Sequence, residues 1–125
     1  MIEVRKSNTF VRLALVCALL FSAQGMAVER GEDLYKTYCW QCHGMTGDGN
    51  GINVRDMSVQ PRDHRDAKEM SARTDEDLFK AIKQGGQAIS KSVLMPPWDG
   101  ALSDDEIHAL IHYLRALCKC RHGGG

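Results

Sequence analysis

The sequence lacks a long hydrophobic run. Its longest apolar stretch, Leu13–Phe21, holds nine residues, less than half of the roughly 20 that a membrane-spanning helix needs. Aromatic residues are scarce, with three Phe, three Tyr and two Trp among 125 residues. A domain of this size buries only a modest core, and so few large side chains leave room for a bulky bound group to complete it. Excess charge of one sign is absent too, since 16 Lys+Arg meet 16 Asp+Glu. No basic face of the kind that nucleic-acid binding requires can be read from the chain, which argues against direct DNA or RNA binding. The remaining fractions, 43% hydrophobic and 26% charged, are those of an ordinary globular protein and exclude collagen, a disordered tail and a multi-span membrane protein. There are no internal repeats.

What is present begins with an export signal. Arg5, Lys6 and Arg12 precede the apolar run, and the small residues of Ala23-Gln24-Gly25 and Gly25-Met26-Ala27 both fit a cleavage site. A positive start, a short apolar middle and a small-x-small exit make residues 1–27 a secretory signal peptide. Retention as a membrane tether is the alternative. Cys17 lies inside the apolar run, where it reads as a signal residue that is lost on cleavage. Export leads to an oxidising compartment, the periplasm, where unused free cysteines are rare. Residues 28–120 then form one domain, and 121–125 a flexible tail.

Helical spacing of Leu34, Tyr35 and Tyr38 predicts a helix over 29–38 that runs directly into Cys39-Trp40-Gln41-Cys42-His43. Gly44 to Gly51 contains four glycines and reads as a loop. Its Asp48-Gly49-Asn50-Gly51 is not a calcium loop, because Ile52 stands where an oxygen ligand belongs. Residues 52–73 read as loop with one short helical turn near Ala67–Met70. Thr74 caps a helix whose first turn carries Asp75, Glu76 and Asp77 and which ends at Gly85-Gly86. Ser103 and Glu106 form a capping box for a last helix. Its apolar stripe is Ile107, Leu110, Ile111, Leu114 and Leu117.

The spacing C-x-x-C-H is the attachment motif of c-type haem. One turn of chain sets two thiols along one edge of a porphyrin, where they add to its two vinyl groups, and the next residue brings an imidazole beneath the ring. Cys39 and Cys42 are thus the thioether candidates and His43 the axial ligand. A thioredoxin-type pair would need a βαβ pattern, which is missing. A zinc site would need two more ligands. Cys118 and Cys120 could supply them, but their spacing is not that of structural zinc pairs.

At this point the chain resembles the class I c-type cytochromes, in particular the small bacterial mono-haem members, over nearly all of the sequence after residue 27. The resemblance rests on the haem motif, on Gly31 and Tyr35 eight and four residues before Cys39, on Leu110-Ile111-His112-Tyr113-Leu114, and on Met95-Pro96-Pro97-Trp98 ahead of the last helix. It implies an all-α cytochrome c fold, with three main helices and long loops around one covalent haem c. In that family the glycine and the aromatics let the first and last helices cross closely. It also implies Met95 as the second axial ligand, in a loop stiffened by Pro96 and Pro97, with Met57 and Met70 as alternatives. Pro61 is the family-type proline whose carbonyl would fix the His43 ring. Arg62 is a candidate partner of a haem propionate, or a solvated charge. Trp98 packs on the haem or in the core. His64, between Asp63 and Arg65, reads as a surface residue, and His108 and His112 lie off the apolar stripe.

Cys118 and Cys120 remain unassigned by the family pattern. A ring-closing disulfide would be tight. A disulfide dimer, a soft-metal site with His122, and two reduced thiols are the other readings, with a disulfide favoured. The resulting expectation is a monomeric, one-electron carrier between respiratory redox partners, with His/Met ligation and no catalysis. Lys80, Lys83 and Lys91 lie near the ligand loop and could meet an acidic partner. A ligand-binding haem enzyme, a fixed subunit of a larger oxidase or reductase, and a zinc-stabilised module are the competing functions.

Overall fold

The computed structural model describes Arg12, Ala14 and residues 25–123. The expected export signal therefore falls almost wholly outside the described residues, as do the last two residues of the tail. Among the described residues helix α1 covers 25–38, so it includes residues ahead of Glu29, where the apolar spacing predicts its start. It is followed by α2 (Trp40–His43), α3 (Ala67–Ser71), α4 (Asp75–Gln84) and α5 (Asp104–Cys118). Two 3₁₀ turns, Val54–Asp56 and Gly86–Ile89, lie in the connections. No strand occurs among the described residues, so the all-α expectation holds.

Helix ends are set where the side chains indicate. Thr74 and Asp77 close a capping box on α4, and Ser103 and Glu106 close another on α5. Each satisfies two backbone N–H groups that the first turn would leave unpaired. The short α3 is capped by Asp66, which accepts from the Glu69 amide. The acidic first turns of α4 and α5 match the positive end of each helix dipole.

The core is built on α5. Ile107, Leu110, Ile111, Tyr113 and Leu114 are buried together with Tyr35 of α1, Met70 of α3 and Ile82 of α4. Helix α1 meets α5 at Gly31. A Cβ built there would lie 2.1 Å from the Ala109 carbonyl oxygen and 2.8 Å from Tyr113 Cβ, so only glycine permits this approach. One turn on, Tyr35 packs against Tyr113 with ring centroids 5.3 Å apart.

Arg115, a half-buried residue that no sequence motif marks, ties α5 to the α3–α4 junction. Its guanidinium donates to the Met70 carbonyl at 2.8 Å, to the Arg73 carbonyl at 2.6 Å and to Asp75 Oδ1 at 2.8 Å. Multiple donors in one rigid fork suit this three-way contact. Beyond α5, Cys118 and Cys120 are buried and joined to each other in one disulfide. The disulfide dimer is thus not the pairing formed, and neither sulfur is available as a thiolate for zinc or a soft metal. Gly123 donates to the Ser71 carbonyl at 3.1 Å, so the chain after the disulfide returns to α3.

The crossing at Gly31 makes a direct prediction. Gly31→Ala forces a methyl group into the Ala109 carbonyl and costs about 2 kcal/mol or more. A thermal unfolding midpoint lowered by roughly 10 °C is expected. An unchanged midpoint would mean that the two helices do not approach this closely.

Candidate haem site

The motif inherits its geometry from α1. The Cys39 amide donates to the Tyr35 carbonyl at 2.9 Å and the His43 amide to the Cys39 carbonyl at 2.9 Å, so the helical path continues through the motif with one local break at Cys39. Helix α2 then stops at Gly44, whose φ of 81° suits glycine. The glycine-rich loop folds back over the exposed carbonyls of the motif. Gly49 donates to His43, Gly51 to Cys42 and Asn53 to Gln41, at 2.8, 3.1 and 2.9 Å. Three carbonyls that a short helix would leave bare are thereby paired. A Cβ at Gly51 would lie 2.2 Å from the Gln41 carbonyl oxygen, which explains one of the four glycines.

His43 points its Nδ1 at the Arg62 carbonyl, 3.1 Å away. This corrects the sequence expectation by one residue, since Pro61 is the acceptor that the family pattern implies. Pro61 keeps a place in the cavity wall. The bond fixes the Nδ1–H tautomer and leaves Nε2 as the free lone pair. Burial holds His43 below its usual pKa, with the Arg62 charge acting in the same direction and the Arg62 carbonyl bond opposing both. A neutral imidazole is the form that binds iron. Burial likewise pushes the Cys39 thiol up to about 12, with Cys42 adding to the shift. Cys39 and Cys42 are not bonded to each other.

His64, expected at the surface, is instead buried beside His43. Their rings stack with centroids 4.3 Å apart and planes 18° from parallel. The Tyr35 ring meets His64 edge-on at 5.9 Å, and the Tyr35 hydroxyl donates to the Gly44 carbonyl at 3.0 Å. The sequence signal that could expose this position is its spacing from Pro61, since a residue just past the proline loop faces the ring that the loop supports. Arg62 pairs with Glu69 through its guanidinium, so its side chain is already engaged by a protein carboxylate.

Met95 stands in the opposite segment of sequence, and that segment is docked on the end of α4. Gly86 donates to the Met95 carbonyl at 3.0 Å, Trp98 to the Ile82 carbonyl at 3.1 Å and Asp99 to the Lys83 carbonyl at 3.0 Å. A Cβ on Gly86 would meet the Ser92 carbonyl oxygen at 2.2 Å, and Gly85, at φ 82°, lies under Pro96 and Pro97. Trp98 is half-buried and packs edge-on against Tyr38 at 5.3 Å. Lys83 is held by Asp104 at 2.7 Å, which removes it from the lysines left free for a partner.

Between these segments lies a cavity of about 970 Å³, bordered by Cys39, Cys42, His43, Met95 and Trp98 among mainly apolar neighbours. Its size is at the upper end for sites of cofactors and drug-sized ligands. Met57 and Met70 also border it, whereas Met45 is exposed and outside it. Two thiols, an imidazole held in its neutral form and a thioether on a large, mainly apolar cavity fit a haem, and no grouping of three or more His, Cys, Asp or Glu side chains that could itself hold a metal ion occurs among the described residues.

Comparison with known proteins agrees with this geometry. Residues 26–114 match the family described as cytochrome c oxidase, cbb3-type, subunit III. Among solved structures, the reducing HAO-like protein complex Kustc0457/Kustc0458 of Kuenenia stuttgartiensis has a chain 29% identical, with a TM-score of 0.58 over 71% of this chain. This chain spans only 41% of that one. The KustC0563 c-type cytochrome is 26% identical, with a TM-score of 0.56, covering 70% of this chain and 95% of its own length. No curated protein sequence matches.

The docking of the Met95 segment on Gly86 is testable by hydrogen exchange. Gly86→Ala drives a methyl group into the Ser92 carbonyl and destabilises the segment by about 1–3 kcal/mol. The Trp98 amide should then exchange about five- to a hundredfold faster, since 1.4 kcal/mol is a factor of ten. Unaltered protection at Trp98 would show that the segment is held by something other than its seat on α4.

Proposed function

Since the chain belongs to the c-type cytochrome family described as cbb3-type oxidase subunit III, we propose that it is an exported, monomeric one-electron carrier. One haem c is attached through Cys39 and Cys42, with His43 and Met95 as the axial ligands. The observation that carries this reading is the 970 Å³ cavity on which the two thiols, the imidazole and the thioether all border. When bound, haem supplies an iron that alternates between Fe(II) and Fe(III), one electron at a time.

The chain's own residues do the rest. Cys39 and Cys42, one helical turn apart, anchor one edge. The Arg62 carbonyl keeps the proton of His43 on Nδ1, so that Nε2 would be the lone pair left to hold the iron. The Met95 thioether is a weak ligand, and its retention depends on the Gly85–Gly86 seat and the two following prolines. Two protein ligands leave no open coordination position, which favours electron transfer over catalysis. Apolar walls keep water from the site and, with Met ligation, raise the reduction potential. Residues 1–27 direct the chain to the periplasm and are removed there, and the partners are other redox proteins.

A second reading is a fixed relay within a larger oxidase or reductase. It is favoured by the family description, which names an oxidase subunit, and by a neighbour that is part of a protein complex. Recovery of a stable complex from membranes or periplasm separates the relay from the free shuttle.

The deciding measurement is the absorption spectrum of the holoprotein and its Met95→Ala variant in both oxidation states. We expect covalent haem that stays with the denatured chain. The wild type should be low-spin and inert to carbon monoxide, with a sulfur-to-iron band that the variant loses as it becomes able to bind carbon monoxide. A wild type that is high-spin, or that binds carbon monoxide at neutral pH, removes Met95 from the iron. The ligand-binding reading would then take its place.

A further inference from the structure

His64 is the buried polar side chain that the proposed function does not use. It borders the cavity and its ring lies flat against His43, at 4.3 Å and 18°. Its Nδ1 is buried with no hydrogen-bond partner. Leaving such an atom unpaired costs about 1–3 kcal/mol, so an aliphatic side chain would fill the same space at lower cost. The cost is incurred at one place, on the face of the imidazole assigned to the iron.

The position is also tightly held. The His64 amide donates to the Gly47 carbonyl, and the Tyr35 ring supports the imidazole edge-on at 5.9 Å. Asp63 pairs with Arg65 on the outside, at 3.2 Å, so the flanking charges face away from the ring pair. His43 itself is constrained at only one atom by the Arg62 carbonyl. One hydrogen bond directs Nδ1 but leaves the ring free to rock about that line. A flat ring stacked on its face removes this freedom.

We propose that His64 is a positioning residue that fixes the plane of the axial imidazole of His43, by stacking on it while the Arg62 carbonyl fixes its direction. The proposal rests on the reading of His43 as the iron ligand. In a low-spin ferric haem protein the orientation of the axial ligand planes sets the anisotropy of the electron paramagnetic resonance g-values, so those values report the ring plane directly.

The experiment compares frozen ferric holoprotein of the wild type with His64→Phe, His64→Leu and His64→Met. Phe keeps a flat ring, whereas Leu and Met do not. The expected result is a wild-type-like g-tensor for Phe and a shifted or broadened one for Leu and Met, with all variants still low-spin. The two aliphatic variants are used together so that poor maturation of one leaves the other as the test. Wild-type g-values in either aliphatic variant would overturn the proposal and make His64 a space-filling residue. A shift in Phe equal to that in Leu would overturn it too, by assigning the effect to the imidazole nitrogens rather than the stack. His43→Ala is run alongside. If it keeps the low-spin signal, the ligand assignment has failed, and that outcome is separate from any result in the His64 series.

Discussion

The approach of α1 to α5 at Gly31 is the constraint on which the site depends. Helix α1 runs straight into the haem motif, so the depth at which it crosses α5 sets where Cys39, Cys42 and His43 stand above the apolar stripe. Tyr35 carries that constraint forward. Its ring packs on Tyr113 across the crossing and supports His64, while its hydroxyl holds the Gly44 carbonyl at the end of the motif. A side chain larger than hydrogen at position 31 therefore does more than loosen two helices. It moves the base from which both thiols and the His43 imidazole project.

The two sides of the cavity are held by different means. On one side His43 ends a helical path broken only at Cys39, its carbonyl is covered by a loop, and its ring is bonded to Arg62 and stacked on His64. On the other side Met95 itself lies outside any helix. A turn is pinned to the end of α4 by three backbone bonds and by two glycines that admit it. The His43 imidazole thus has the stiffer mount. Under the proposed His43/Met95 ligation, exchange of ligands should begin at Met95, whose segment can open locally without global unfolding.

Much of this architecture is legible in the residues themselves. The helix caps at Thr74 and Ser103, the short turn near Ala67–Met70, the motif and the Gly31 crossing all follow from local chemistry or from family spacing, and each is found where expected. What is not legible lies in the loop from residue 52 to 66. Loop register carries no periodic signal, so the family pattern points to the proline as the acceptor for His43, and nothing in the residues shifts it to the one after. For the same reason His64, flanked by Asp63 and Arg65, reads as solvated. Charged neighbours in sequence need not share an environment when the chain is extended and alternate residues face opposite sides. Arg115 escapes notice because a single arginine on a helix gives no sign that three acceptors converge on it. The pairing of Cys118 and Cys120 depends on how the chain turns after α5, where Lys119 adopts a left-handed conformation that its residue type does not announce.

The scarcity of large side chains now has a structural meaning. The α5 stripe serves two surfaces at once. Ile107 and Ile111 pack within the protein, whereas Leu110 and Leu114 also border the cavity. Both are already buried by the chain itself, so the apolar core also forms part of the cavity wall. A bulky ring that makes apolar contacts only when the chain is folded adds those contacts to stability. Among the aromatics, Tyr35 and Tyr113 are buried at the helix crossing, and Tyr38 and Trp98 pack on each other where they border the cavity. Economy of aromatic residues and dependence on a bound ring are the same property of this fold, and the chain without its haem should be the less stable form for that reason.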